Sequence, residues 1–313
     1  MLEEEIFWRR PKPSQGAIIP SQIVFHVTSF CSNNCSGCYS KKRVGELDLR
    51  LFEKSIKEAE ELGRGYTFLG ISGGEPLARE DIWKIVALHP TSHFLIYTSG
   101  AQFWQRVIEL ERLSNIFIFF SLKLDKCGEE KGRDLGQILE YCQKHQLPFG
   151  ISLLVTQENA GYITSENYLR PWIEIGARSL LFMVFRSFQD SNGEEFGHTM
   201  GSKQIFYLLQ KIEYLRNLFR VPIMRGLTGH GVTDCRAANK ILSISPSGEI
   251  QICPFAPISI GNIRDCSLEE ALKSPVCRII RFINKTNKFL LRNPCMNFCN
   301  LLSKVNGLEV HSP

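Results

Sequence analysis

From residue 22 onward the chain alternates short apolar runs with longer amphipathic stretches. Gln22–Val27, Tyr66–Ile71, His93–Thr98, Ile116–Leu124, Phe149–Val155 and Leu180–Phe185 have the length and apolar character of strands. Between and after them, Leu49–Leu62, Arg79–Leu88, Gln102–Leu113, Asp134–His145, Glu166–Ile175 and Lys203–Arg220 read as helices. Asp48 stands where an N-cap belongs and Gly63 where a helix stops, while Ser99-Gly100 closes the third strand. The result is six β-then-α units in a row. Strands as apolar as IFIFF at 116–120 are buried on both faces, as in parallel sheets. Such units wind into a barrel or an open doubly wound sheet, and the pattern alone leaves both open. In either one, chemistry collects beyond the C-terminal ends of the strands.

The flanks break this rhythm. Residues 1–20 contain Pro11, Pro13 and Pro20 without periodicity and read as an arm. Past residue 221 the alternation stops, and glycines, prolines and six cysteines accumulate: Cys235, Cys253, Cys266, Cys277, Cys295 and Cys299. A small loop-rich region with many thiols suggests a metal-stapled appendage. The expected organisation is therefore an arm at 1–20, a core at 21–221 and a cysteine-rich domain at 222–313.

Composition narrows the setting. With 313 residues, 43 % hydrophobic and 22 % charged, the chain has the make-up of a globular enzyme. Its net charge of +5 is scattered, and the short run Lys41-Lys42-Arg43 reads as a solvated loop, so no nucleic-acid partner is expected. The acidic start Met1-Leu2-Glu3-Glu4-Glu5 is unlike a secretory signal, and no run is apolar enough to span a membrane. A cytoplasmic location follows as the expectation. In that reducing setting the odd total of 11 cysteines, several of them clustered, points to metal binding more than to disulfides.

The densest cluster is CSNNCSGCY at 31–39, directly after the first strand. Cys31, Cys35 and Cys38 have C-x3-C-x2-C spacing in a loop whose small polar residues tolerate tight curvature. Three thiolates hold three irons of a [4Fe–4S] cubane and leave the fourth iron open to a ligand. By spacing alone, a zinc site completed by a distant ligand and an accidental grouping compete with that assignment. One unit later comes GISGGEP at 70–76, whose paired glycines and proline suit a turn where backbone approaches a ligand closely. A plain βα turn is the bland alternative.

Together, the three-cysteine loop after the first strand, GGEP after the second and the six βα units resemble the radical S-adenosylmethionine (SAM) superfamily over about residues 22–220. The resemblance implies an α/β fold, a partial (β/α)6 TIM-type barrel. It implies that Cys31, Cys35 and Cys38 ligate a [4Fe–4S] cluster whose open iron binds SAM, with Gly73, Gly74 and Glu75 facing the SAM amino group. Thr98 in YTSGA (97–101), Ser121 and Asn159 match polar positions at the ends of later strands. Many relatives carry an aromatic residue just before the third cysteine. Here that position is Gly37, and Tyr39 after Cys38 or a backbone contact is the candidate substitute.

The tail resembles a second signature, the SPASM auxiliary-cluster extension or its shortened twitch form. Cys235, Gly248 and Cys253 give C-x12-G-x4-C, and Cys295 with Cys299 gives C-x3-C. The resemblance makes these four cysteines the ligands of one auxiliary [4Fe–4S] cluster, with Cys266 and Cys277 unassigned. A structural zinc knot is the competing reading of the tail. SPSGEIQICP at 245–254 reads as a hairpin turning at Ser247-Gly248.

Other residues at the expected barrel mouth carry weaker expectations. Cys127 is a candidate hydrogen-atom donor to a product radical, set against a bystander thiol. Lys123 and Asp125 are candidate SAM or substrate contacts, and Arg186 a candidate carboxylate binder. His26 reads as a core histidine. The function expected is reductive cleavage of SAM followed by hydrogen abstraction from a substrate, a peptide or protein ahead of a small molecule. An electron donor such as flavodoxin or ferredoxin is implied as partner. A non-catalytic zinc-binding adaptor is the remote alternative. With only some 20 residues ahead of the first strand, an added N-terminal peptide-binding domain is not expected.

Overall fold

The computed structural model describes residues 18–33, 35, 38, 40, 43–63, 65, 67–122, 135–185, 200–225 and 236–286. Strands and helices are numbered in chain order. The first part runs β1 (Gln22–Thr28), α1 (Leu49–Gly63), β2 (Phe68–Gly73), α2 (Ile82–Ala87), β3 (His93–Thr98), α3 (Phe103–Glu111), β4 (Ile116–Leu122) and α4 (Leu135–Lys144). It continues through β5 (Phe149–Val155), α5 (Ala160–Ile163), α6 (Glu166–Glu174), β6 (Leu180–Val184), α7 (Ser202–Phe219) and β7 (Ile223–Arg225). The C-terminal part adds β8 (Ile241–Ile244), β9 (Glu249–Cys253), β10 (Ala256–Asn262), α8 (Leu268–Leu272) and α9 (Pro275–Thr286).

The six βα units form as the hydrophobic pattern requires. β1 to β7 pair parallel in chain order. The fold is the expected α/β partial barrel, open between its edge strands β10 and β7. Alternate strand residues face opposite ways, and each face has its own core. Ile23, Phe25, Ile96, Ile118, Phe120, Ile151, Leu153 and Phe182 pack with helix residues such as Phe52, Phe103 and Leu139. Phe25 meets Phe52 of α1 edge-to-face at 5.2 Å. Leu95, Phe117, Phe119 and Leu181 form a second cluster with Phe68, Tyr97, Met183 and Met224, all of them strand residues. That cluster is the inner face of the partial barrel, and Tyr97 stacks on Phe119 there at 5.7 Å.

The region past residue 221 is more regular than its composition suggests. β8 pairs parallel with β1, with Gln22 opposite Ile241 and Phe25 opposite Ile244. β9 and β10 add antiparallel to it. The ten strands thus form one continuous sheet in the order β10-β9-β8-β1-β2-β3-β4-β5-β6-β7. The expected hairpin is present. Ser245 and Gly248 close the turn, and Gly248 has φ +85°. The C-terminal part also grips α1. Lys54 Nζ donates to Ile263 O at 2.6 Å, and Leu268 N donates to Glu58 at 2.8 Å. Val24 of β1 belongs to a small core with Ala238, Ile252, Cys253, Ile258, Cys277 and Ile280.

One helix and three short strands depart from the pattern. The stretch expected as a helix at Arg79–Leu88 begins instead with a 3-10 turn at Pro76–Ala78, and α2 starts only at Ile82. Arg79 takes an extended backbone there, φ −87° and ψ 132°, because its side chain is engaged elsewhere. The short strands β7, β8 and β10 gave no signal because three to seven residues are too few to show a readable period. Among the described residues no helix is long and apolar enough to cross a membrane.

The N-cap at Asp48 is present: its Oδ1 accepts the N–H groups of Arg50 at 2.9 Å and Leu51 at 3.2 Å. Asp48→Ala should therefore cost about 1 kcal/mol in chemical denaturation. Asp48→Asn, which keeps the acceptor, should stay close to the parent.

Candidate functional site

The cysteine loop leaves β1 at Thr28 and rejoins the fold at Leu47, and its two ends lie side by side. Ser29 N donates to Gly45 O at 2.9 Å and Leu47 N to Val27 O at 3.0 Å. Thr28 forms an antiparallel bridge with Glu46 and donates its hydroxyl to the Glu46 carboxylate at 3.2 Å. Arg79, only 6 % exposed, clamps this base. Its Nη1 donates to Val27 O at 2.9 Å and Leu47 O at 2.7 Å. Its Nε and Nη2 fork onto Asp81 at 2.8 and 2.6 Å. The guanidinium holds the Asp81 carboxyl below the usual carboxylate range.

The GGEP turn closes on the same loop. Gly74 N donates to Thr28 O and Glu75 N to Phe30 O, both at 2.7 Å. A Cβ at Gly73 would lie 2.4 Å from Thr28 O, and Gly73 has φ +135°. A Cβ at Gly74 would lie 2.1 Å from Phe30 O and 2.7 Å from Ser29 O. The close approach that requires these glycines is thus to the protein's own backbone just before Cys31. Glu75 is 1 % exposed and its carboxylate is surrounded by donors. Thr98 Oγ1 reaches Oε1 at 2.5 Å, and Ser99 N and Oγ reach Oε2 at 2.9 and 2.5 Å. Leu77 N adds a fourth bond at 3.2 Å. Asn33, inside the cysteine loop, donates to Ser99 Oγ at 2.9 Å. One hydrogen-bonded chain therefore joins the cysteine loop, the GGEP turn and the end of β3.

The expected ligands fall as follows. Cys31, Cys35 and Cys38 are half-buried on this pinned loop, and Cys31 Sγ accepts the N–H of Asn33 at 3.4 Å. Among the described residues no three Cys, His, Asp or Glu side chains converge as a closed metal centre. Ligand sets commonly close only around their metal, and three thiols outside the sealed core, on a loop fixed at both ends, fit a cluster with one open position. Ser121 sits half-buried on the inner face of β4, beside Ser152. Asn159 is a loop cap: its Oδ1 accepts Thr156 N at 2.7 Å and its Nδ2 donates to Leu154 O at 2.9 Å. Tyr39, Lys123, Asp125, Cys127 and Arg186 lie outside the described residues, as do Cys235, Cys295 and Cys299.

Of the other cysteines, Cys253 is buried at the end of β9 and Cys277 is fully buried on α9. Cys266 donates to Asn262 O at 3.5 Å. Burial pushes the Cys277 thiol up, and that of Cys142 on α4 up to about 12, so both behave as core residues. His26 is fully buried on β1. Burial first, and then the nearby Arg43, drives its pKa well below the ordinary histidine value. The pattern assigned no site role to Arg79, Asn33 or Ser99 and read Arg43 as part of a solvated loop, whereas Arg43 is half-buried and donates to Pro254 O. Arg79, Asn33 and Arg43 lie within a few residues of the two motifs, and Ser99 sits in YTSGA at the end of β3.

The family model of the radical SAM superfamily matches residues 25–151, and that of the SPASM iron–sulfur cluster-binding domain matches residues 235–300. The AdoMet-dependent heme synthase of Methanosarcina barkeri is 23 % identical over 291 residues, covering 80 % of this chain and 81 % of that protein. The antilisterial bacteriocin subtilosin biosynthesis protein AlbA of Bacillus subtilis is 22 % identical over 279 residues, covering 82 % of this chain and 60 % of that protein. The fold is similar to that of Streptococcus suis SuiB bound to its precursor peptide SuiA. The TM-score is 0.67 at 15 % identity, covering 82 % of this chain and 65 % of SuiB, slightly less than two thirds of it.

The glycine geometry yields a direct test. Gly74→Ala should cost about 1–3 kcal/mol in chemical denaturation, because backbone oxygens must move aside. Gly161→Ala has open space around the new methyl and lies in the short helix α5. It should be neutral or stabilise by up to about 1 kcal/mol.

Proposed function

The chain belongs to the radical SAM superfamily and carries a SPASM-type cluster-binding domain, and from that premise we propose that it modifies a peptide or protein substrate. In this proposal Cys31, Cys35 and Cys38 hold the [4Fe–4S] cluster that binds SAM. Cys235, Cys253, Cys295 and Cys299 hold one auxiliary cluster. When bound, the first cluster and SAM supply reductive cleavage of the sulfonium and, through the carbon radical released, removal of a hydrogen atom from the substrate. The rest is the work of the chain's own residues. Arg79 and the Gly73-Gly74 turn fix where the three thiols stand. Thr98 and Ser99 hold Glu75 against the end of β3. Gly73, Gly74, Thr98, Ser121 and Tyr39 remain the proposed SAM neighbours. For Glu75 the four protein donors favour an indirect role, shaping the turn whose backbone faces the ligand. Tyr97, Phe119 and Met183 give the inner face an apolar wall for the substrate.

The observation that carries the reading is the pinned three-thiol loop at the C-terminal end of β1. The choice of a peptide is supported by the subtilosin relative and by a similar fold that binds a precursor peptide. A small-molecule substrate is the second reading, favoured by the heme synthase relative. The proposal includes a cytoplasmic setting, a flavodoxin- or ferredoxin-type electron donor, and a division into an arm (1–20), a barrel (21–221) and a cluster domain (222–313).

Anaerobic reconstitution tests it. The parent should bind about eight irons per chain, as two cubanes require, and release deoxyadenosine when reduced with SAM. Cys38→Ala should lose about four irons and all deoxyadenosine, whereas Cys142→Ala should keep both. Retention of all of the roughly eight irons in a Cys31/Cys35/Cys38 triple alanine variant would refute the assignment. Mass spectrometry of a short peptide encoded beside the gene should show a SAM-dependent mass change. A change confined to small metabolites would favour the second reading.

A further inference from the structure

Arg43 lies five residues past Cys38, on the outgoing arm of the cysteine loop. Its side chain crosses to the C-terminal part of the sheet. Nη2 donates to Pro254 O at 2.8 Å and more weakly to Gln251 Oε1 at 3.4 Å. Pro254 directly follows Cys253, and Gln251 sits on β9 opposite Ser243 of β8. Gln251 is in turn held by Ser243 Oγ at 3.5 Å and donates to Glu249 at 3.4 Å. The same guanidinium acts on His26, buried on β1. One cation therefore ties the loop that carries the first cysteine group to the hairpin that carries Cys253.

We propose that Arg43 is a positioning residue that couples the first cysteine loop to the Cys253 hairpin. Occupancy of the loop steadies the hairpin, and occupancy of the hairpin steadies the loop, as reciprocal linkage demands. This rests on the reading of Cys31, Cys35 and Cys38 as the SAM-cluster ligands. The physical basis is a charge-assisted bond to a carbonyl, between segments 211 residues apart in sequence. A lysine keeps the charge but not the planar, directionally fixed Nη2 that meets both acceptors.

Hydrogen exchange on the full-length reconstituted protein tests the coupling. In Arg43→Gln, residues 250–256 should exchange at least tenfold faster than in the parent, with β3, β4 and β5 unchanged. Arg43→Lys should fall between. SAM should slow exchange in both 43–47 and 250–256 of the parent, but only in 43–47 of Arg43→Gln. The proposal is overturned if the hairpin of Arg43→Gln exchanges as in the parent, or still responds to SAM. If SAM protects the loop alone in the parent, the coupling falls and the ligand assignment stands. Protection of neither segment in the parent would overturn both.

Discussion

A buried guanidinium sets the geometry on which the candidate site depends. A loop of small polar residues has many conformations, and holding three thiols in one arrangement means giving most of them up. Arg79 meets that cost by spanning both ends of the loop. It reaches Val27 O on the incoming side and Leu47 O on the outgoing side, while Asp81 balances the charge. Hydrogen bonds to a charged group contribute about 1.5–3 kcal/mol each, and this one side chain makes four. A guanidinium buried to this degree is tolerable because its Nε, Nη1 and Nη2 are all hydrogen-bonded and Asp81 balances its charge. The two ends of the loop are thus held by the second βα unit as well as by their own pairing.

The paired glycines serve the same end. Gly73 and Gly74 bring the second turn against residues 28–30 so closely that no side-chain carbon fits between. Glu75 then reaches the other way, to Thr98 and Ser99 at the end of the third strand. Three consecutive strand ends are locked into one surface by hydrogen bonds whose donors and acceptors are mostly backbone or short side chains. Such groups have little rotamer freedom to lose, so the surface is preorganised at low entropic cost.

How far the sequence revealed this follows from the range of each interaction. The strands at 93–98 and 149–155 were legible to the residue because continuous apolar runs have sharp ends. The Asp48 cap and Gly63 stop were legible because capping is local. The cysteine triplet was legible as chemistry because its spacing is local too. GGEP was legible as a site but not in its role: close backbone approach was foreseen, and the partner turned out to be the cysteine loop itself. Arg79 and Asn33 gave no signal, since neither residue type nor spacing reveals a partner that folding brings in from another unit. Arg43 is the extreme case, with its acceptor 211 residues away. The extended sheet was hidden for a related reason. β8 has four residues and owes its existence to the exposed edge of β1, which no local window contains.

That edge pairing changes what the C-terminal part can be mechanically. An appendage tethered by a linker moves freely with respect to the barrel, but a strand paired in register does not. Sliding β8 by one residue would turn its buried side chains to the other face, and all four are buried. β1 therefore has β2 on one side, β8 on the other, and Cys31 three residues beyond its end. Any displacement of the hairpin that ends in Cys253 is felt by the strand that presents the first cysteine group. Helix α1 adds a second tie through Lys54 and Glu58. Cys31 and Cys253, far apart in sequence, are thereby both referred to β1.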